Sequence, residues 1–247
     1  ELDLHLDRLL RSAFAAKISP PFSREALRKI LVETVAASGC KNGSLRYWLS
    51  AGPGDFNLSS KHCKQAAFYA IVLGYEQKPF EAVWVITSSI PLKPPMFATM
   101  KNVNYLPNVL SLLEAEEKGA YTSIWVDDEG YIAEGPNMNV AFVNQIGEFI
   151  MPSFDKILSG CTARRTLTLA HQLMATETWS GQLKGVKTCS ITVAEGKAAA
   201  EMMLIGSGNP IVPVVKWDKQ QIGNGNTHSC AHTYVYTYIH TFMQTLL

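Results

Sequence analysis

Three prolines fall within five residues in Ile90-Pro-Leu-Lys-Pro-Pro95. Each fixes its own φ and lacks an amide donor, so neither a helix interior nor a central strand can run through this stretch. It reads as an extended linker, dividing the 247 residues into a small N-terminal domain, 1–92, and a larger domain, 93–247. With 47% apolar and 17% charged residues, the chain carries enough apolar side chains for buried cores. A net charge of +1 gives no basic face for nucleic acid. No apolar run approaches the roughly 18 residues that a membrane-spanning helix needs. The five cysteines are odd in number and form no CxxC pair, which argues against a disulfide framework or a zinc site and for a reducing compartment. No secretory leader is visible, and the abrupt start within an amphipathic helix predicts that a segment precedes it.

Hydrophobic periodicity places helices over 2–16, 23–39 and 59–65, and strands at Leu45–Ser50, Phe68–Leu73 and Ala82–Ser88. Beyond the linker it predicts a helix over Tyr105–Lys118 and two hairpins. One pairs Ser123–Val126 with Tyr131–Ala133; the other pairs Val140–Val143 with Glu148–Met151. A helix Ala163–Met174, a strand Cys189–Val193, a short helix Glu195–Ala200 and strands Glu201–Ile205 and Ile211–Lys216 complete the pattern. The fold class is α+β, with a small N-terminal α/β domain and a strand-rich C-terminal one. From about 226 the text turns rich in Thr, His and Tyr with almost no charge, and its alternation favours a strand or an unfolded segment.

Four features carry chemistry, and each also has an ordinary reading. Lys101, in ATMKNVNYLPN, has no adjacent carboxylate to hold it charged; a lysine that forms an imine must be partly desolvated. Alone, it reads first as a solvated lysine, as most lysines are. Glu134 ends a strand at a Gly-Pro turn, where a carboxylate can pair with a protonated ring nitrogen or simply face solvent. Cys161 and Thr162, in LSGCTARRT, open a helix, whose free N–H groups and dipole suit a phosphate or call only for a cap. Gly206 and Ser207, in IGSGN after an apolar strand, allow close backbone approach and a hydroxyl donor, or form a plain loop. The histidines lack metal-ligand spacing, so no metal site is expected.

The order of these features is more specific than any one of them. KNVNYLPNVLSLLEAEEKGA, then IWVDDEGYIAEGPNMNVAF, then LSGCTARRTLTLA resembles the fold-type IV enzymes dependent on pyridoxal 5′-phosphate, the class-IV aminotransferases. The resemblance spans roughly 1–225 and, through SLRYWLSAGPGDF, SSIPLKPPMFATMKNVNYLPN and EMMLIGSGNPI, is strongest to the plant chloroplast D-amino-acid group. It implies that Lys101 carries the cofactor as a Schiff base and moves the substrate proton. Glu134 would face the pyridine nitrogen, and Tyr105 would lie near the ring oxygen. Cys161, Thr162, Gly206 and Ser207 would hold the phosphate, with Arg8 reaching it from the small domain. It further implies amino-acid and 2-oxo-acid substrates such as D-alanine and its acceptor, a homodimer, and a chloroplast location. An aminodeoxychorismate lyase, or a truncated cofactor-binding homologue with little activity, would share the scaffold. Three departures stand out: a family stretch ahead of the first helix is absent, no arginine-histidine element matches near 51–56, and the tail after Gly225 is unlike the family's closing helix.

Overall fold

In the first part of the chain, leucines at helical spacing meet across two helices, α1 (Leu2–Ala15) and α2 (Arg24–Ser38). Leu6 on α1 and Leu27 and Leu31 on α2 are fully buried. Ser23 caps α2 by accepting from Ala26 N at 3.2 Å, and Gly39 ends it in the left-handed conformation at φ 63°. Arg24 fixes one helix to the other through Asp7 at 2.7 Å and Asp3 at 3.0 Å. An antiparallel pair follows, β1 (Gly43–Ser50) with β2 (Ala67–Gly74). A computed structural model describes residues 1–55, 57–75, 82–175 and 183–225, so the expectations for the tail from 226 fall outside the described residues.

The next strand, β3 (Val83–Thr87), does not join that pair. It runs parallel to β4 (Thr122–Ile124) and to β9 (Val212–Trp217), inside the larger sheet. The chain accordingly divides into Glu1–Pro79 and Phe80–Leu247, ahead of the proline-rich stretch rather than at it. That stretch is no bare linker either: Pro94 and Pro95 start a short helix, α3 (Pro95–Ala98). Proline's fixed φ is preorganised for a helix start, where its missing N–H is not needed.

Between β3 and β9 lie α3, α4 (Leu106–Glu117), β4, β5 (Asn139–Val143), β6 (Glu148–Met151), α5 (Cys161–Met174), β7 (Gly185–Thr188), α6 (Val193–Lys197) and β8 (Glu201–Ile205). A two-residue strand β10 (Gln220–Gln221) pairs with β9, and the remaining sheet order is β4-β3-β9-β8-β5-β6-β7. β5 and β8 are buried along their whole length. One sheet face packs Val140, Phe142, Met202, Leu204 and Trp217. The other packs Ala141, Val143, Met203 and Ile205 under Ala163, Leu169 and Ala170 of α5. None of the described helices is long and apolar enough to cross a membrane.

Local chemistry explains where the expected elements move. In place of the strand expected at Cys189–Val193, β7 ends just before it and only an isolated bridge, Tyr131↔Thr192, forms within it, because the Thr192–Glu195 capping box then starts α6. The helix expected over 59–65 is a single 3-10 turn, Ser60–His62. Ser123 belongs to β4, so the first hairpin shortens to the bridge Val126↔Ile132 and its flanking backbone bonds.

Candidate active site

Glu134 sits at the end of that shortened hairpin. Trp125 N donates to Glu134 O, and Ala133 N to Trp125 O, both at 2.9 Å. The following turn closes with Gly135 N donating to Met138 O at 2.8 Å, and Asn108 Nδ2 on α4 donates to Pro136 O. The Glu134 side chain therefore points inward and is buried, not exposed at a turn. Asn139 Nδ2 donates to its Oε2 at 3.1 Å, and Leu158 N to its Oε1 at 3.2 Å. Two donors to one buried carboxylate offset much of the cost of removing it from water.

Asn139 also donates to Leu158 O at 3.0 Å, joining the start of β5 to the chain entering α5. Gly160, the N-cap of α5, is packed so tightly there that a Cβ on it would overlap Asn139 Oδ1. No side chain caps this helix. Its first turn carries buried Cys161 and buried Thr162. Thr162 Oγ1 lies 3.4 Å from Ser207 Oγ in the loop after β8. Gly206 lets that loop sit on Met138, where an added Cβ would meet the methionine at 3.1 Å. Two hydroxyls from separate elements thus meet at an uncapped helix start, a donor set that fits a phosphate dianion.

Lys101 leaves the connection between α3 and α4. Asn102 stiffens that connection by donating to Phe97 O at 3.1 Å and accepting from Asn104 N at 2.9 Å. Lys101 Nζ donates to Tyr105 Oη, at the N-cap of α4, and stands 5.1 Å from the centroid of the Tyr105 ring. Contrary to the expected desolvation, Lys101 is exposed. The desolvated lysine is Lys93, 9% exposed, inside the proline-rich stretch. Its Nζ lies 5.6 Å from the centroid of the same tyrosine ring. Burial pushes the Lys93 ammonium below its ordinary pKa, while Glu134 and Tyr105 raise it and Lys101 lowers it further. Tyr105 thus stands beside both lysines. Arg8 belongs to the first unit, partly buried on α1, with Nη2 3.5 Å from His5 Nδ1.

Sequence reasoning missed Lys93 and Asn139. Lys93 was hidden by its proline neighbours, which read as linker. Asn139 carried a usable signal, a polar side chain opening an otherwise apolar strand.

The family description amino-transferase class IV matches residues 1–217. The D-amino-acid transaminase, chloroplastic, of Arabidopsis thaliana is 61% identical over 228 residues, covering 91% of this chain and 60% of its own length. The chain therefore spans about three-fifths of that relative. The D-alanine aminotransferase of Bacillus licheniformis is 28% identical over 229 residues, covering 91% of this chain and 76% of its own. Among solved structures, the branched-chain amino acid aminotransferase from Escherichia coli superposes with a TM-score of 0.84 at 21% identity. The match covers 99% of this chain and 77% of that one, a likeness of fold.

Proposed function

The chain belongs to the amino-transferase class IV family, and on that premise we propose that it binds pyridoxal 5′-phosphate and moves the amino group of a D-amino acid, such as D-alanine, to a 2-oxo acid. The observation that carries this reading is the donor set: a lysine amine held by a tyrosine, a buried carboxylate held by two donors, and two hydroxyls converging at a helix start. Each matches one functional group of the cofactor. The choice of D-amino acids is supported by the names of the Arabidopsis and Bacillus relatives.

Bound pyridoxal 5′-phosphate supplies an electron sink for the charge that develops at the substrate α-carbon. Lys101 would hold the cofactor through its amine and would move the proton at that carbon. Tyr105 orients the Lys101 nitrogen. Glu134 keeps the pyridine nitrogen protonated, and Asn139 and Leu158 N hold its carboxylate for that task. Thr162, Ser207, the backbone at Cys161 and the close-packed Gly206 hold the phosphate. A homodimer and a plastid location accompany the reading on the same family grounds.

The test is to mix the purified chain with D-alanine and 2-oxoglutarate and follow pyruvate and glutamate. Equimolar formation of both, absent with L-alanine, is the expected result. Bound cofactor without turnover sinks the transaminase reading for this chain. Pyruvate released from aminodeoxychorismate without an acceptor replaces it with a lyase.

A further inference from the structure

An ordinary surface helix turns its apolar side to the core and its polar side to water. α4 does the reverse. Asn108, Ser111 and Ala115 share one side at helical spacing, and all three are buried. That side is held by hydrogen bonds: Asn108 Nδ2 donates to Pro136 O, Ser111 Oγ lies 2.6 Å from Ser123 Oγ, and Ser123 Oγ donates to Ser111 O at 2.8 Å. The opposite side carries Leu106, Val109, Leu110 and Leu113, at i, i+3, i+4 and i+7, each 43–66% exposed. Val103, just ahead of the helix, is 80% exposed. Met96 and Phe97 of α3 are exposed too, and Asn102 ties that helix to the same connection by donating to Phe97 O.

The area and the charges of this stripe both suit a second copy of the chain. Its residues expose the equivalent of about four whole apolar side chains, roughly 700 Å². That exceeds the largest patch of a typical monomer, about 300–600 Å², and approaches the roughly 800 Å² that each partner of a stable pair buries. Glu117, exposed, continues the stripe by one turn, and the start of α4 at Tyr105 has no side-chain cap. Two such helices packed parallel would set acid against acid. Packed antiparallel across a two-fold axis, Leu106 of each copy meets Leu113 of the other. Each Glu117 then reaches the other copy's uncapped helix start, the positive end of its dipole.

We propose that two copies of this chain pair antiparallel through the leucine stripe of α4, and that the pairing completes the candidate site. Lys101 lies on the connection between α3 and α4, bordered by Val103 and Leu106, and in a single copy it is exposed. A lysine that holds a carbonyl cofactor through its amine must be partly desolvated. Burying Val103 and Leu106 against the second copy takes that connection out of water. The interface stands on the surface alone, whereas its effect on the cofactor rests on the function proposed above.

Sedimentation velocity reads the pairing in the full chain, in its Leu113→Glu and Leu106→Lys variants, and in an equal mixture of the two. The wild type should sediment as a dimer and each variant alone as a monomer. The mixture should recover the dimer, because the introduced acid and base then face each other. Equilibrium dialysis with pyridoxal 5′-phosphate reads the link to the site. Leu113→Glu, three turns along the helix from the Lys101 connection, should weaken the cofactor about five- to a hundredfold, the usual size of a coupling between sites. Wild type diluted until it dissociates should show the same loss and melt at the same temperature as Leu113→Glu, since that position is exposed in a single copy. A monomeric wild type overturns the proposal and leaves the stripe to a different partner. A Leu113→Glu variant that stays dimeric, or a mixture that stays monomeric, overturns the antiparallel interface. Monomers that hold pyridoxal 5′-phosphate as tightly as the dimer overturn the link to the site. A dimeric wild type that binds no pyridoxal 5′-phosphate removes the cofactor reading and leaves the interface standing.

Discussion

A buried carboxylate is tolerated only where donors replace the water it has lost, and for Glu134 Asn139 is one such donor. Asn139→Ala takes away that donor and leaves Leu158 O without its partner as well. The affinity for pyridoxal 5′-phosphate should fall about tenfold or more, as for loss of a hydrogen bond to a charged group. Equilibrium dialysis reads this directly, and an unchanged affinity would detach Asn139 from the site. Lys101→Ala should abolish the visible absorption band that the bound cofactor gives with the wild type, and with it the mass added by borohydride reduction. A band that survives the substitution refutes the lysine assignment. The two lysines show what a sequence discloses at this scale. Lys101 is recognisable from its order ahead of Glu134, the start of α5 and the loop after β8. Lys93 is not, because desolvation is a property of the folded surroundings and its own segment spells only proline.

At the scale of elements, glycine positions separate those that packing demands from those that tolerate a side chain. Gly160 starts α5 against Asn139, and a Cβ there overlaps the amide oxygen, whereas Gly208 has nothing within 4 Å of the corresponding point. Gly160→Ala should therefore cost about 1–3 kcal/mol of stability, the usual range for forced overpacking. It should also weaken cofactor binding, since it pushes the helix start away from the group that holds Glu134. Gly208→Ala should stay within about 0.5 kcal/mol of wild type. Urea unfolding distinguishes the two, and similar losses from both would mean that the tight approach at Gly160 is not what sets α5. The elements that periodicity disclosed were those with whole amphipathic turns or buried strands, such as α1, α2, α5, β5 and β8. It failed where a short-range side-chain bond decides the outcome. The reciprocal Thr192–Glu195 box starts α6 inside the strand expected at Cys189–Val193, and it is legible only to a search for caps.

For the molecule as a whole, the proline-rich stretch was a sound marker of a break in regular structure but not of the boundary between units. Which sheet β3 joins depends on partners more than thirty residues away, Thr122–Ile124 and Val214–Trp217, and no local pattern records such pairings. The sheet that results buries an acid with no evident task. Glu201, on β8, follows the face of Met203 and Ile205 by strand alternation, and is 2% exposed. Among the described residues, neither of its carboxylate oxygens meets a donor. Burial pushes its pKa up from 4.5 to about 7. An acid whose pKa is raised on folding binds its proton more tightly in the folded state, so it favours unfolding as pH rises. The cost is absent below the unfolded value of 4.5, grows between there and about 7, and is constant above. A shift of this size corresponds to at most about 3 kcal/mol. Glu114, which burial pushes up but Lys118 and Ser89 together pull down to about 2, slopes the other way at lower pH. A single stability curve would mix the two. Comparison with Glu201→Gln removes everything the two proteins share: at pH 4.5 a protonated glutamate and a glutamine are nearly alike and the stabilities should coincide, whereas at pH 8 the variant should be the more stable by up to about 3 kcal/mol. Urea unfolding at a series of pH values reads the difference, and a difference that stays flat from pH 4.5 to 8 would mean that Glu201 ionises in the fold at no cost.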